Sequence, residues 1–311
     1  MITIGIVVPC YNEQEVLPET VSRLATLLTR MTANGQVSPE SAVWLVDDGS
    51  KDRTWSLIRE AAEGDARFHG VKLSRNRGHQ NALLAGLEVA KGDAIVTIDA
   101  DLQDDITVIE KMVDLSAAGV DIVYGVRDSR ATDTAMKRMT AELYYTLLAR
   151  LGVEIVFNHA DYRLMSRRSL DALSRYAEVN LFLRGIIPQL GFTTATVPYD
   201  RAERFAGESK YPLGKMLALA INGVTSFSVM PLRMIAALGL LICLGSVAMI
   251  AWVLFGSLVL HDVIPGWASS VVPIYFLGGV QLFSIGVIGE YVGKIYLETK
   301  RRPRFLIQEE I

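Results

Sequence analysis

Between residues 234 and 293 the chain carries no lysine or arginine, and its only acids there are Asp262 and Glu290. Two apolar stretches lie in this window, at residues 234–260 and 268–289. Each exceeds the roughly 20 residues that carry an α-helix across a bilayer. The link at residues 261–267 holds Pro265 and Gly266 and no basic residue, while Arg233 precedes the pair and Lys294, Lys300, Arg301, Arg302 and Arg304 follow it. Positive charge stays on the cytoplasmic side, so this distribution predicts a multi-pass hairpin in the cytoplasmic (inner) membrane, with a short external turn and both termini in the cytoplasm. Trp267 falls where an interfacial aromatic anchor would sit. Gln281 is placed to hydrogen-bond between helices, and Gly289 and Gly293 have a small-xxx-small spacing suited to helix pairing, either within the hairpin or in a homo-oligomer.

The rest of the 311 residues read as a mixed, charged, globular chain. A net charge of −3 gives no bulk case for nucleic-acid binding. The first ten residues are apolar but too short for a signal peptide, lack its basic start and cleavage site, and read as a buried strand. Of the two cysteines, Cys10 lies near the start and Cys243 inside the apolar window, so no disulfide is expected, as befits a reducing cytosolic face.

Strand-like and helix-like segments alternate from the start. Strands are expected at residues 2–9, 42–46, 71–73, 94–98 and 122–126, and helices at 13–31, 51–62, 81–90 and 106–115. In the first helix Val16, Leu17, Val21, Leu24, Leu27 and Leu28 share one side. Apolar strands joined by helical crossovers predict an α/β, Rossmann-like, mostly parallel sheet buried on both faces, with ligands beyond the carboxyl ends of its strands. Residues 131–192 read as helical and less regular, 193–197 as a further strand, and 200–211 as a polar mobile loop. Residues 213–229 have helical period and little charge, which suits an interfacial amphipathic helix or a core helix. The expected units are a cytosolic domain (1–212), an interfacial helix (213–233), the membrane hairpin (234–293) and a basic cytosolic tail (294–311).

The polar motifs fall at the expected strand ends. Asp99-Ala100-Asp101-Leu102-Gln103-Asp104 follows one apolar strand. Two carboxylates one residue apart at a strand end can share a divalent cation, and their hard oxygens suit Mg²⁺ or Mn²⁺. Such a cation would stabilise a departing diphosphate. A D-x-D alone is equally an acidic turn, but three further clusters accompany it. They are Pro9-Cys10-Tyr11-Asn12-Glu13, Asp47-Asp48-Gly49-Ser50-Lys51-Asp52 and Arg75-Asn76-Arg77-Gly78-His79-Gln80. Tyr11 can stack on a base, Asp48 can accept from a base N–H, and Arg75 can reach a phosphate, although Ser50 and Asp52 could simply start a helix. His79 has no other metal ligand near it in sequence, which favours a structural or substrate-contact role.

With these motifs the chain resembles a family 2 glycosyltransferase of GT-A fold. More narrowly it is similar to bactoprenol glucosyltransferases of the GtrB type, and more distantly to dolichyl-phosphate mannose synthases. Carrying the narrower likeness are the segment from Arg75 to Gln80, Asp161-Tyr162-Arg163-Leu164-Met165-Ser166-Arg167, the segment from Arg201 through Arg204, Gly207, Ser209 and Lys210 to Tyr211, and Glu298-Thr299-Lys300-Arg301-Arg302-Pro303. The resemblance covers essentially the whole chain. It implies that Pro9, Tyr11, Glu13 and Asp48 hold the nucleoside, and that Asp99, Asp101 and Gln103 hold ribose, metal and diphosphate. It places Arg127, Lys137, Arg138, Arg201, Arg204, Ser209 and Lys210 near the phosphates, and makes Asp161 the candidate base. The expected reaction is an inverting transfer of glucose from UDP-glucose to polyprenyl (undecaprenyl) phosphate. A phosphate monoester, with its second pKa near ~6, is already largely dianionic at neutral pH and needs little help from a base. Asp161 therefore has two open roles: general base, or a carboxylate that orients Arg163 or fixes the acceptor through a cationic partner.

Three rival readings remain. A different sugar could be transferred to the same lipid. A polysaccharide-extending enzyme would carry a Q-x-x-R-W-type motif, but Gln189 is followed by Leu190-Gly191-Phe192, and no tryptophan lies between Trp55 and Trp252. A membrane-tethered sensor would bind the nucleotide sugar without turnover.

Overall fold

Continuously apolar runs form the centre of the sheet, because strands covered on both faces have no solvent side to mark with polar residues. The computed structural model describes residues 1–127, 159–179, 183–200, 229–255 and 266–311. Strands β1 (Ile4–Cys10), β2 (Ala42–Asp47) and β4 (Ala94–Thr97) are buried at every position. With β3 (Phe68–Leu73), β5 (Ile122–Arg127), β6 (His159–Ser166), β7 (Thr194–Tyr199) and β8 (Ile307–Glu310) they form one mixed sheet of order β7-β5-β6-β4-β1-β2-β3-β8. The pairs β4–β1, β1–β2, β2–β3 and β5–β7 are parallel. β6 is antiparallel to both its neighbours, and β8 is antiparallel to β3.

Helices α1 (Leu17–Ala33), α2 (Thr54–Gly64) and α4 (Val108–Ala117) cover one face, packing on Ile4, Ile6 and Val8 of β1. The other face carries α3 (His79–Val89), α5 (Arg167–Leu173) and α6 (Leu183–Gln189), packed on Val7, Val46 and Met165. Helix α1 starts four residues later than its hydrophobic period suggests, because Pro18 suits only the first turn of a helix. Asp52 Oδ1 accepts from the Thr54 amide at 3.0 Å and fixes the start of α2.

Two strands differ from the sequence expectation. Within residues 131–192, read as helical, residues 159–166 form β6, slotted between β4 and β5. The tail, read as only basic and cytosolic, ends in β8 on the free edge of β3.

Helices α7 (Met230–Phe255) and α8 (Trp267–Lys300) follow the sheet domain in the chain. They leave large apolar side chains open, among them Leu240, Leu241 and Leu244 on α7 and Leu282, Phe283 and Ile285 on α8. Among the described residues one stretch, Phe276–Lys300, is long and apolar enough to cross a membrane, and Met230–Ile242 is a shorter apolar helix. The expected loop 200–211, apart from Asp200, and the expected helix 213–229, apart from Val229, lie outside the described residues.

Candidate active site

The antiparallel insertion of β6 builds the centre of the site. Its register pairs Arg163 with Thr97, so Asp161 lies just beyond the carboxyl end of β4, beside Asp99. Thr97 Oγ1 donates to the Asp161 carbonyl at 2.6 Å and holds this junction. Residues two apart on a strand share a face, so Asp161 and Arg163 both point toward α3 and α6, while Tyr162 enters the opposite core.

Three groups converge on the Asp161 carboxylate. Arg163 donates to it from behind. Arg184, on α6, grips it through Nη2 to Oδ2 at 3.0 Å and Nε to Oδ1 at 3.3 Å. His79 Nε2, at the first residue of α3, stands 3.6 Å from Asp161 Oδ2 and 3.4 Å from Asp99 Oδ1, linking the two acids. Burial alone would push the Asp161 carboxyl up, but Arg184, His79 and Arg163 hold it well below the usual range. The group stands as a permanent anion. Asp99 behaves in the opposite way: desolvation in the cleft, opposed by His79 and reinforced by Asp161, Asp104 and Asp101, pushes its carboxyl up to about 6.

The D-x-D turn is held by backbone strain. Leu102 adopts φ +55°, a left-handed conformation that costs a bulky residue of order 1–3 kcal/mol. Within this turn the Gln103 amide donates to Asp101 Oδ1 at 3.2 Å. Asp104 is buried, accepts from the Tyr199 hydroxyl, and lies 3.9 Å from Arg127 Nη2. The β5–β7 register sets Arg127 against Tyr199, which brings this arginine to the acidic turn. Among the described residues no three His, Cys, Asp or Glu side chains form a closed metal cage. Asp99, Asp101 and the Gln103 amide oxygen are hard oxygen donors grouped in one turn. They fit Mg²⁺ or Mn²⁺ completed by substrate phosphates and water.

The residues expected to meet the nucleoside lie at the ends of β1 and β2 and in the loop after β3. Pro9 is buried in register with Val46, whereas Tyr11 and Arg75 are exposed and Glu13 is half-buried. A cavity of about 390 Å³ lies alongside, lined by Asn12, Glu13, Lys51 and Asp52 among others. Asp48 differs from the sequence expectation. It is buried, and its oxygens accept from the backbone N–H groups of Arg77 (2.6 Å) and Gly78 (2.9 Å), so it holds the β3–α3 loop and with it His79. Its neighbour Asp47 is also fully buried, accepts from the Ser50 amide through Oδ1, and has no hydrogen-bond partner for Oδ2 among the described residues.

Gly49 is the hinge between these loops. It has φ +69°, and a Cβ there would meet the Asn76 amide nitrogen at 2.5 Å and the Arg75 carbonyl carbon at 2.7 Å. Both obstacles are backbone, so Gly49→Ala is expected to destabilise the fold by about 1–3 kcal/mol and to weaken nucleotide binding. Thermal unfolding with and without UDP checks this; an unchanged midpoint and affinity would refute it.

Of the expected site residues, Asp99, Asp101, Gln103, Asp161 and Arg127 gather around the carboxyl end of β4, with Arg163 buried behind Asp161. Lys137, Arg138, Arg201, Arg204, Ser209 and Lys210 lie outside the described residues. Arg184 and the bridging position of His79 are additions that sequence reasoning missed.

Residues 5–174 match the model of Glycosyl transferase family 2. An uncharacterised glycosyltransferase of Bacillus subtilis (strain 168), YkoT, is 51% identical over 98% of this chain and 91% of its own length. The bactoprenol glucosyl transferase of Shigella phage SfV is 41% identical over 99% of this chain and 98% of its own length. A crystal structure of a mycobacterial protein, 17% identical, gives a TM-score of 0.50 over 72% of this chain and 73% of that one, a likeness of fold.

Proposed function

The chain belongs to glycosyl transferase family 2 and has the GT-A fold, and from that premise we propose that it transfers glucose from UDP-glucose to polyprenyl phosphate with inversion at the anomeric carbon. The observation that carries this reading is the near full-length, 41% likeness to a bactoprenol glucosyl transferase, which extends through the apolar C-terminal helices.

In this reading Pro9, Tyr11 and Glu13 frame the nucleoside, and Asp99, Asp101 and Gln103 would hold Mg²⁺ or Mn²⁺ for the diphosphate. The bound cation supplies charge neutralisation to the departing nucleoside diphosphate. Arg75 and Arg127, together with Lys137, Arg138, Arg201, Arg204, Ser209 and Lys210, are the cations and donors assigned to the phosphates. An oxygen of the lipid phosphate dianion attacks the anomeric carbon as the bond to the diphosphate breaks. The attacking oxygen carries no proton, so none need be removed. Asp161 serves as a fixed anion that positions arginines, in keeping with its depressed pKa and its three cationic partners. Holding both reactants aligned supplies much of the rate.

Two membrane helices, α7 and α8, with the sheet domain in the cytoplasm complete the proposal. All-round apolar sequence with open side chains on both helices supports it. So does β8, which leaves the end of α8 on the same side as the sheet.

The deciding experiment incubates the full-length protein with a panel of nucleotide sugars and polyprenyl phosphate, followed by mass analysis of the lipid. A β-linked polyprenyl phosphoglucose formed only from UDP-glucose is the expected product. An α-linked lipid would overturn the single displacement, and another sugar would overturn the donor assignment. Topology has its own check. Cysteines introduced at Ser269 and Arg302 should react with an impermeant reagent only from the external and only from the cytoplasmic side, respectively. The opposite pattern would reverse the hairpin.

A further inference from the structure

Asp161 carries two guanidinium groups, and they differ in exposure. The Arg163 side chain is 1% exposed, enclosed against the sheet, whereas that of Arg184 is 35% exposed and opens on the cleft. Only the second can meet a substrate. We infer that Arg184 is the residue that receives the phosphate of the lipid acceptor, an assignment that rests on the phosphate-acceptor reading above.

Chemistry requires a cation at this point. A phosphate dianion approaching the anomeric carbon passes Asp99 and Asp161, both carboxylates, and would be repelled unless positive charge stood between. Arg184 is the partly exposed cation beside them, 3.0 Å from Asp161 Oδ2. Its guanidinium has five N–H donors in a rigid fork suited to phosphate oxygens, and the Asp161 contacts are made through Nε and Nη2. Asp161 thereby orients the fork.

The location agrees with delivery from a bilayer. At the start of α6 the Leu183 amide donates to Gln80 Oε1 at 3.2 Å, which ties Arg184 to the helix that presents His79. On the other side, the Val179 amide donates to Glu298 Oε2 at 2.8 Å near the end of α8, and Arg304 donates to the Tyr176 carbonyl. Val179 and Arg184 are five positions apart, a span of at most about 18 Å. The helix end held by Val179 is therefore within chain reach of Arg184. A headgroup anchored at that helix end lies within reach of it.

The test uses full-length protein in detergent, with farnesyl phosphate as a short-chain polyprenyl monophosphate and UDP with Mn²⁺ as the donor-site probe. Arg184→Gln should bind farnesyl phosphate at least about 30-fold more weakly, because one partner of a desolvated charge pair is removed. UDP affinity should stay within about twofold of wild type, since the donor site keeps its own ligands. Arg184→Lys should recover part of the loss, as a point charge without the fork. Equal binding of farnesyl phosphate by wild type and Arg184→Gln overturns the assignment. A folded Arg184→Gln that loses UDP in parallel does so too, by placing the residue on the donor. If Arg184→Gln does not fold, Arg184→Lys decides: its acceptor KM should rise about tenfold at unchanged UDP affinity, and no rise counts against Arg184. Failure of the broader reading looks different, for wild type would then make no sugar lipid from any donor.

Discussion

Asp101→Asn is expected to lower sugar transfer by about a thousandfold or more, with the sheet intact. A cation on a departing diphosphate is worth several kcal/mol in the transition state, and each 1.36 kcal/mol is tenfold in rate. The change is almost isosteric. Asp101 is half-buried, and the contact within its turn, from the Gln103 amide to Oδ1, is one that an asparagine oxygen can also accept. Lost activity would therefore report lost charge rather than a collapsed loop. Rates measured against Mn²⁺ and Mg²⁺ concentration, with Mn²⁺ binding in the presence of UDP, make the check. Normal transfer by this variant in the presence of chelator would remove the metal from the mechanism.

Asp161→Asn should damage both stability and turnover. Removing the anion leaves Arg163 and Arg184 facing a neutral amide, and breaking a buried pair in this way typically costs about 3–5 kcal/mol. Arg163 is the less forgiving of the two, since its Nε and Nη1 already lack hydrogen-bond partners among the described residues. The sign with pH follows from the depressed folded-state pKa. Stabilisation by Asp161 is fully present above the unfolded value of about 3.9 and is lost as pH falls through the lower folded value. The gap between wild type and Asp161→Asn should thus be constant from neutrality down to about pH 5 and close in stronger acid. Over pH 5–9 Asp161 stays ionised, so a limb in the rate profile near ~6 belongs to the acceptor phosphate or to Asp99, whose carboxyl is pushed up to about 6, and should survive in the variant's residual activity. A wild-type limb in that range that vanishes in Asp161→Asn would make Asp161 a proton acceptor after all.

The parts of this site that were legible in the sequence are those set by local pattern. Apolar runs followed by Pro9, Asp47 and Asp99 place polar residues at strand ends, whatever the rest of the chain does. Long-range geometry was not legible in the same way. Residues 159–164 do alternate polar and apolar types, but six residues are outweighed inside a stretch that reads as helical, and their place between β4 and β5 is what makes the strand plain. Arg184 lies 23 residues from Asp161 in an unremarked Leu-Arg-Gly segment, and its meaning arises from that one contact. Asp48 showed its type but not its direction, because the amides of Arg77 and Gly78 that it holds are offered by a loop some thirty residues away. Four residues of strand in a charged tail likewise gave no periodic signal for β8.

That short last strand governs how the membrane is felt. Ile311 exchanges backbone hydrogen bonds with Gly70, 2.9 Å in each direction, which extends the β3–β8 ladder at the sheet edge. The end of α8 is thereby moored to the domain through the β3–β8 ladder that follows it. A helix moored at its end to a sheet keeps a set bearing on that sheet. A thinner or thicker bilayer tilts its helices to cover the mismatch. In the proposed bilayer-spanning arrangement the tilt of α8 has to be taken up at Arg301, the left-handed residue that ends the helix, or passed through Glu298 to Val179. Acyl-chain length, at fixed substrate concentration, thus becomes a variable of turnover.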